Sequence, residues 1–308
     1  MNLKISFLIA AHNEEKIIAK TLENLLNLPY QNYEVIIGLD GCTDKTEEII
    51  KKFCKKSKKF KYFVLNLRQG KNVVINSIIK KASGEIIIIN DADWIFRIKD
   101  KKTFKKFISV FNNPKIGGIA ESFPVEWNKD KIKNGNFGYR IVAYSSYFWM
   151  EFQKKKFTEE KNGLLKLKIP TMFLTNLFRK KFYRENSSLG DDLERTYDIM
   201  KQGNEVVIFN DAEMPRMIAV YDKISVRKLF KQKIRTAIAR EQVKTEQEIN
   251  LRNYYFPAIV YILKNSFKKS FSCGLLMVYW ISLTSIATFI SKFNKKDAKE
   301  GWKLRARN

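Results

Sequence analysis

Four short apolar runs, Leu3–Ile9, Tyr33–Leu39, Lys61–Asn66 and Glu85–Asn90, are separated by three stretches of helical character, Glu14–Asn27, Thr43–Phe53 and Lys71–Lys81. Strands that alternate with helices of this length build βαβ units, because parallel neighbours need a crossover rather than a tight turn. The chain is therefore predicted to be an α/β protein whose mostly parallel sheet is flanked by helices. Ile86, Ile87, Ile88 and Ile89 fit best, since a strand buried on both faces reads as an unbroken apolar run. In open sheets of this kind, ligands bind beyond the carboxyl ends of the strands.

Polar residues gather at those ends. The first strand runs into Ala11-His12-Asn13-Glu14-Glu15 and the second into Asp40-Gly41-Cys42-Thr43-Asp44. The third leads to Arg68-Gln69-Gly70-Lys71, and the isoleucine strand ends in Asn90-Asp91-Ala92-Asp93. Singly, these segments have structural explanations: Asn13 and Thr43 can cap helices, Asp40-Gly41 can turn the chain, and Arg68 can sit in solvent. Four of them at consecutive strand ends point to a shared site. Asp91 and Asp93 offer hard oxygen ligands one residue apart, which suits Mg²⁺ or Mn²⁺ with water and phosphate oxygens completing the shell.

Beyond Asp100 the alternation loosens. Ile116–Phe123 and Val206–Phe209 read as strands, Phe137–Phe152 as an aromatic-rich helix, and residues 171–182 as a buried strand passing into a basic segment. Residues 187–203 place small residues and acids ahead of Leu193, Tyr197 and Met200 at helical spacing, with Gly203 as the stop. Ser225–Arg240 is an amphipathic basic helix. Phe271–Ser291 is uncharged for 21 residues and bracketed by lysines, long enough for a ~30 Å hydrocarbon core. A span, an in-plane helix and a buried soluble helix all fit that composition. The expected division is residues 1–245 as the α/β domain and 246–308 as a C-terminal helical, membrane-associated region.

The 308 residues carry 58 Lys and Arg against 32 Asp and Glu, a formal +26, which favours phosphate-bearing partners. Much of the excess is lysine dispersed among Asn and Ile, and no nucleic-acid-binding signature is present, so no nucleic acid is expected as a partner. The three cysteines show neither metal-ligand spacing nor a disulfide framework, and the N-terminus lacks a secretory pattern; a reducing, cytosolic setting is expected.

The segments "SFLIAAHNEEKIIAKTLENLL", "YEVIIGLDGCTDKT", "RQGKNVVINSIIKKASGEIIIINDAD" and "LGDDLERTYDIMKQG", in this order, resemble glycosyltransferase family 2, the inverting enzymes of GT-A fold. The resemblance covers roughly residues 3–240. It implies a nucleotide-diphosphate-sugar donor; with the Asp91/Asp93 turn, the basic charge and the uncharged C-terminal segment, the expectation is Mg²⁺ or Mn²⁺, a lipid-linked or glycan acceptor, and an anionic membrane surface on the cytoplasmic side. By position, Ala11, His12 and Glu14 would line the nucleoside pocket, Asp40 would face the base, and Arg68 and Lys71 would lie near it. Asp91 would approach the ribose or the metal, Asp93 would bind the metal, and Asp192 would be the general base with Asp191 beside the acceptor. Gln232 and Arg235 match part of the Gln-x-x-Arg-Trp segment of processive synthases, with Thr236 in place of Trp, which argues against processivity. A basic membrane or nucleic-acid-binding protein and a sugar-nucleotide pyrophosphorylase are the alternatives. The latter needs a Gly-rich phosphate loop where this chain has Ala10 to Glu15.

Overall fold

A computed structural model describes residues 3–120, 127–170, 175–185, 190–211, 213–219, 223–243 and 250–293. Its first third alternates as expected: β1 (Ile5–Ala11), α1 (Ile18–Leu26), β2 (Tyr33–Asp40), α2 (Thr46–Lys56), β3 (Phe60–Leu65), α3 (Lys71–Ile79) and β4 (Ile86–Ile89). All four isoleucines of β4 are buried. β1 pairs in parallel with β2 on one side and β4 on the other, and β3 extends the sheet beyond β2. This half keeps all its strand ends on one edge, where the polar clusters meet.

The chain continues through β5 (Trp94–Arg97), α4 (Lys101–Ser109), β6 (Ile116–Ile119), α5 (Lys129–Asn134), α6 (Phe137–Phe157), β7 (Thr158–Lys161) and β8 (Leu164–Leu167). Then come β9 (Leu177–Arg179), α7 (Asp191–Lys201), β10 (Glu205–Phe209), β11 (Arg216–Ala219), α8 (Val226–Val243), α9 (Phe256–Lys269) and α10 (Phe271–Ser291). The large sheet has the order β3-β2-β1-β4-β9-β6-β10-β8-β7. Its second half is mixed: β9 lies antiparallel between β4 and β6, and β8 is antiparallel to β10. A separate ribbon pairs β5 with β11.

The sheet's amino-terminal edge is pinned by a buried acid. Ser6 Oγ, Ser83 Oγ and the Ser83 N–H all donate to Glu34 Oε1 at 2.7–2.8 Å, and Lys61 Nζ meets Oε2 at 3.1 Å. Burial opposes the charge, but these donors outweigh it and draw the Glu34 carboxyl down to about 2.

α6, α8, α9 and α10 form a helical layer. Its apolar core joins Tyr139, Ile141 and Phe148 of α6, Leu229 of α8 and Ile262 of α9 to Cys273, Leu276, Met277 and Trp280 of α10. The expected boundary at 245/246 lies outside the described residues, and the core is shared by elements on both sides of it. One face of α10 is packed from Cys273 to Ser291. Phe271, Leu275, Val278, Ile286 and Phe289 form the opposite, exposed stripe. α10 is the one helix, among the described residues, long and apolar enough to cross a membrane, with mean hydropathy 1.8.

Candidate active site

The first wall of the site is the loop after β1 locked to the loop after β2. Asn13, at a φ of 53°, exchanges hydrogen bonds with Thr43, accepting from the Thr43 N–H at 2.8 Å and donating to Oγ1 at 3.1 Å. The Glu14 N–H donates to Thr46 Oγ1 at 2.7 Å, which closes the start of the first crossover. His12 Nδ1 lies 2.6 Å from the Asp40 carbonyl. A carbonyl can only accept, so Nδ1 carries the proton that it donates there.

Asp40 is wholly buried, with its carboxylate turned into the β3–α3 loop. Oδ1 accepts from the Gln69 N–H at 2.6 Å and Oδ2 from the Gly70 N–H at 2.8 Å. Through both oxygens Asp40, expected to face a base, holds the loop that carries exposed Arg68. Gly41 makes the close approach possible: its φ is 61°, and a Cβ there would stand 2.9 Å from the Arg68 nitrogen. Ala11 is buried and accepts from Cys42 Sγ at 3.4 Å through its carbonyl, so it shapes the wall by backbone.

The floor is the Asp91–Asp93 turn. Asn90 Nδ2 donates to the carbonyls of Asp91 and Trp94, both at 2.9 Å, and Thr21 Oγ1 of α1 donates to the Ala92 carbonyl at 2.7 Å. A turn tied on both sides presents its carboxylates on a rigid base. The Asp91 side chain is a third exposed, whereas Asp93 is 4% exposed.

The third wall is the head of α7. Lys71 Nζ lies 3.0 Å from Asp91 Oδ1 and 3.6 Å from Asp191 Oδ2, so one ammonium joins the turn after β4 to the acids of α7. Arg195 pairs with Asp191 at 3.0 Å and ties this helix to the entry of β9 by donating to the Thr175 carbonyl and Asn176 Oδ1. Arg195 is only 2% exposed and was not singled out from sequence. The readable signal was its position four residues after Asp191 on one helical face.

These contacts push two adjacent carboxylates apart. Burial would raise both. At Asp191, however, the charges of Lys71 and Arg195 prevail and lower the carboxyl below its ordinary range. At Asp192, burial and then the charge of Asp191 raise it. Burial opposes the Lys71 ammonium, but Asp191 and Asp91 outweigh it and hold the lysine protonated. Neighbouring acids with opposite displacements are the usual sign of a divided acid–base task.

Among the described residues, no three His, Cys, Asp or Glu side chains form a metal-holding group. Among the described residues the turn after β4 offers the Asp91 and Asp93 carboxylates, a donor set that suits Mg²⁺ or Mn²⁺ because those ions keep waters and phosphate oxygens in their shells. Gln232 and Arg235 are partly buried on α8 and belong to the helical layer. That layer reaches the Asp91–Asp93 turn through the edge-to-face contact of Trp94 with Trp127.

The sequence model described as Glycosyl transferase family 2 matches residues 6–187. Poly-beta-1,6-N-acetyl-D-glucosamine synthase of Staphylococcus epidermidis is 40% identical over 128 residues, 42% of this chain and 30% of that protein. The protein of the same name from Staphylococcus aureus strain COL is 37% identical over 119 residues, 36% of this chain and 29% of its own length. The chain thus spans less than a third of the curated relatives it matches. Among solved structures, the mannosyltransferase PcManGT from Pyrobaculum calidifontis, in complex with GDP-Man and Mn²⁺, has a TM-score of 0.55 at 15% identity and covers 98% of this chain and 78% of its own. S. aureus TarS 1–349 in complex with UDP-GlcNAc gives 0.53 at 15%, covering 98% and 93%. At such low identity these two speak for the shared GT-A architecture, a mixed sheet flanked by helices.

Proposed function

This chain belongs to glycosyl transferase family 2, a family of sugar-transferring enzymes, and on that premise we propose that it moves a sugar from a nucleoside diphosphate to a lipid-linked or glycan acceptor with inversion. The observation that carries the reading is the convergence of the Asp91 turn and the Asp191-Asp192 head of α7 on Lys71 at the strand ends, and burial together with the charge of Asp191 raises the proton affinity of Asp192. A carboxylate with raised proton affinity is the better acceptor of a hydroxyl proton. Asp192 takes that proton as the acceptor oxygen attacks the anomeric carbon, and the bond to the diphosphate oxygen breaks. Asp191, already bound to Lys71 and Arg195, fixes the helix head.

Lys71 holds positive charge beside Asp91. Asp91 and Asp93 would hold a magnesium or manganese ion, which when bound neutralises charge on the leaving diphosphate. His12 and Glu14 line the nucleoside end, with Arg68 at its rim. The names of the curated relatives favour N-acetylglucosamine as the sugar.

The α/β part, residues 1–245, carries the transfer, and the helices of 246–308 meet the cytoplasmic face of an anionic membrane. In support, the exposed stripe of α10 is apolar while its other face is packed on the protein, as in a helix lying in the interface. The test incubates the purified full chain with Mn²⁺ and a panel that includes UDP-GlcNAc and GDP-mannose, scoring donor hydrolysis and transfer. Turnover of one donor that is lost in Asp192→Asn supports the reading; the same turnover in that variant overturns it. Flotation with anionic vesicles, absent with neutral ones in high salt, checks the membrane part.

A further inference from the structure

A second group of cations lies in the helical layer, outside the strand-end site. Lys233 and Arg240 are seven residues apart on α8, two turns along one face and about 10 Å along the axis, within reach of each other's long side chains. Lys233 Nζ stands 4.9 Å from the ring centroid of Trp280 on α10, and the Arg240 guanidinium carbon stands 5.3 Å from that of Tyr255. Trp149 of α6 touches both rings, with centroids 5.8 Å from Trp280 and 6.3 Å from Tyr255. The three rings therefore form one continuous wall beneath two positive groups.

Among the described residues, neither cation has a carboxylate partner, and Arg240 Nε is buried without a hydrogen bond. Burial, and then the charge of Arg240, lower the proton affinity of Lys233 to about 7, so the pair lacks a compensating charge. Both cations and the rings of Trp149 and Tyr255 remain partly accessible. Ring faces soften this cost, since the negative face of an aromatic ring attracts a cation. An anion would relieve it more fully, because charge-assisted hydrogen bonds to phosphate are roughly twice as strong as neutral ones.

We propose that Lys233 and Arg240, set over the ring wall of Trp280, Trp149 and Tyr255, form a binding site for a phosphate group, separate from the strand-end site. A membrane lipid headgroup and a free phosphate share this chemistry. The inference is independent of the sugar-transfer reading.

The test titrates the full chain, in non-ionic detergent, with dodecyl phosphate and separately with inorganic phosphate, following calorimetry and tryptophan fluorescence. Saturable binding is expected, weakened at least tenfold in Lys233→Met and Arg240→Met, unchanged in Lys264→Met, an exposed lysine of α9, and retained in Lys233→Arg. Melting temperatures of the variants show whether they fold. Tight binding of dodecyl phosphate alone assigns the site to a lipid headgroup, and equal binding of both probes assigns it to free phosphate. No saturable binding of either, or unchanged affinity in a folded Lys233→Met/Arg240→Met double variant, overturns the site.

Discussion

Replacing Glu34 by Gln tests how much the buried acid at the sheet's amino-terminal edge contributes. The substitution keeps the side-chain size but removes the charge that three donors from Ser6 and Ser83 share and that Lys61 faces. The carboxyl falls from an ordinary 4.5 to about 2, a difference equivalent to about 3 kcal/mol of folding stability. The sign follows from the lowered value: the contribution is complete above pH 4.5 and disappears as the pH falls through 2, with roughly half left near pH 3. Urea unfolding in non-ionic detergent measures it. With a slope of ~3 kcal/mol/M, the variant's midpoint should lie ~1 M below that of the parent at pH 7. The gap should shrink between pH 5 and pH 3, because the parent loses what the variant never had. Equal midpoints at pH 7, or a gap as wide at pH 3 as at pH 7, would refute the reasoning.

The remaining expectations concern the site and the helical layer. Asp192→Asn should keep donor affinity and melting temperature while single-turnover transfer drops ~10²–10⁴-fold; in the parent, transfer should rise with pH through a value above the ordinary 3.8 of an aspartate. Asp191→Asn should instead lower stability by ~3–5 kcal/mol in thermal unfolding, since it leaves Arg195 buried without its ion pair, with a smaller effect on rate. Calorimetry should show tighter nucleoside-diphosphate binding with Mn²⁺ than with EDTA, and Asp93→Ala should abolish the difference. Truncation after Lys268 should give an aggregating product by light scattering rather than a soluble domain, because it uncovers the packing of Met277 and Trp280 against α6 and α8.

The parallel half of the fold was legible because β1, β2 and β4 are buried, largely apolar runs ending in polar residues, and local chain order alone dictates the crossovers. Asp91, Asp93 and the pair Asp191-Asp192 were legible for a related reason: carboxylates directly after a buried strand or at a helix start stand out. β9 was less so. Its three residues carry no periodicity, and its place between β4 and β6 is decided by partners 58 to 93 residues away in the chain. The β7–β8 hairpin is short and largely polar, and β5 pairs with a strand more than a hundred residues on. Asp40 shows the limit at the site: its position at the strand end was readable, but the direction of its carboxylate depends on where the backbone of Gln69 and Gly70 passes.

The insertion of β9 also bears on how the chain is made. β4, all isoleucine, pairs with β1 early, but its other edge waits for Leu177 to meet Ile88, 89 residues later in the chain. At a synthesis rate of ~5–20 residues per second, that edge stays open for ~4–18 s on the ribosome. An exposed, uncharged β-branched edge is a template for pairing with another chain. Nascent chains that end before Thr175 should therefore associate with chaperones or aggregate, and chains that include Arg179 should not. Ribosome-bound fragments of both lengths, compared by pelleting, would show the difference.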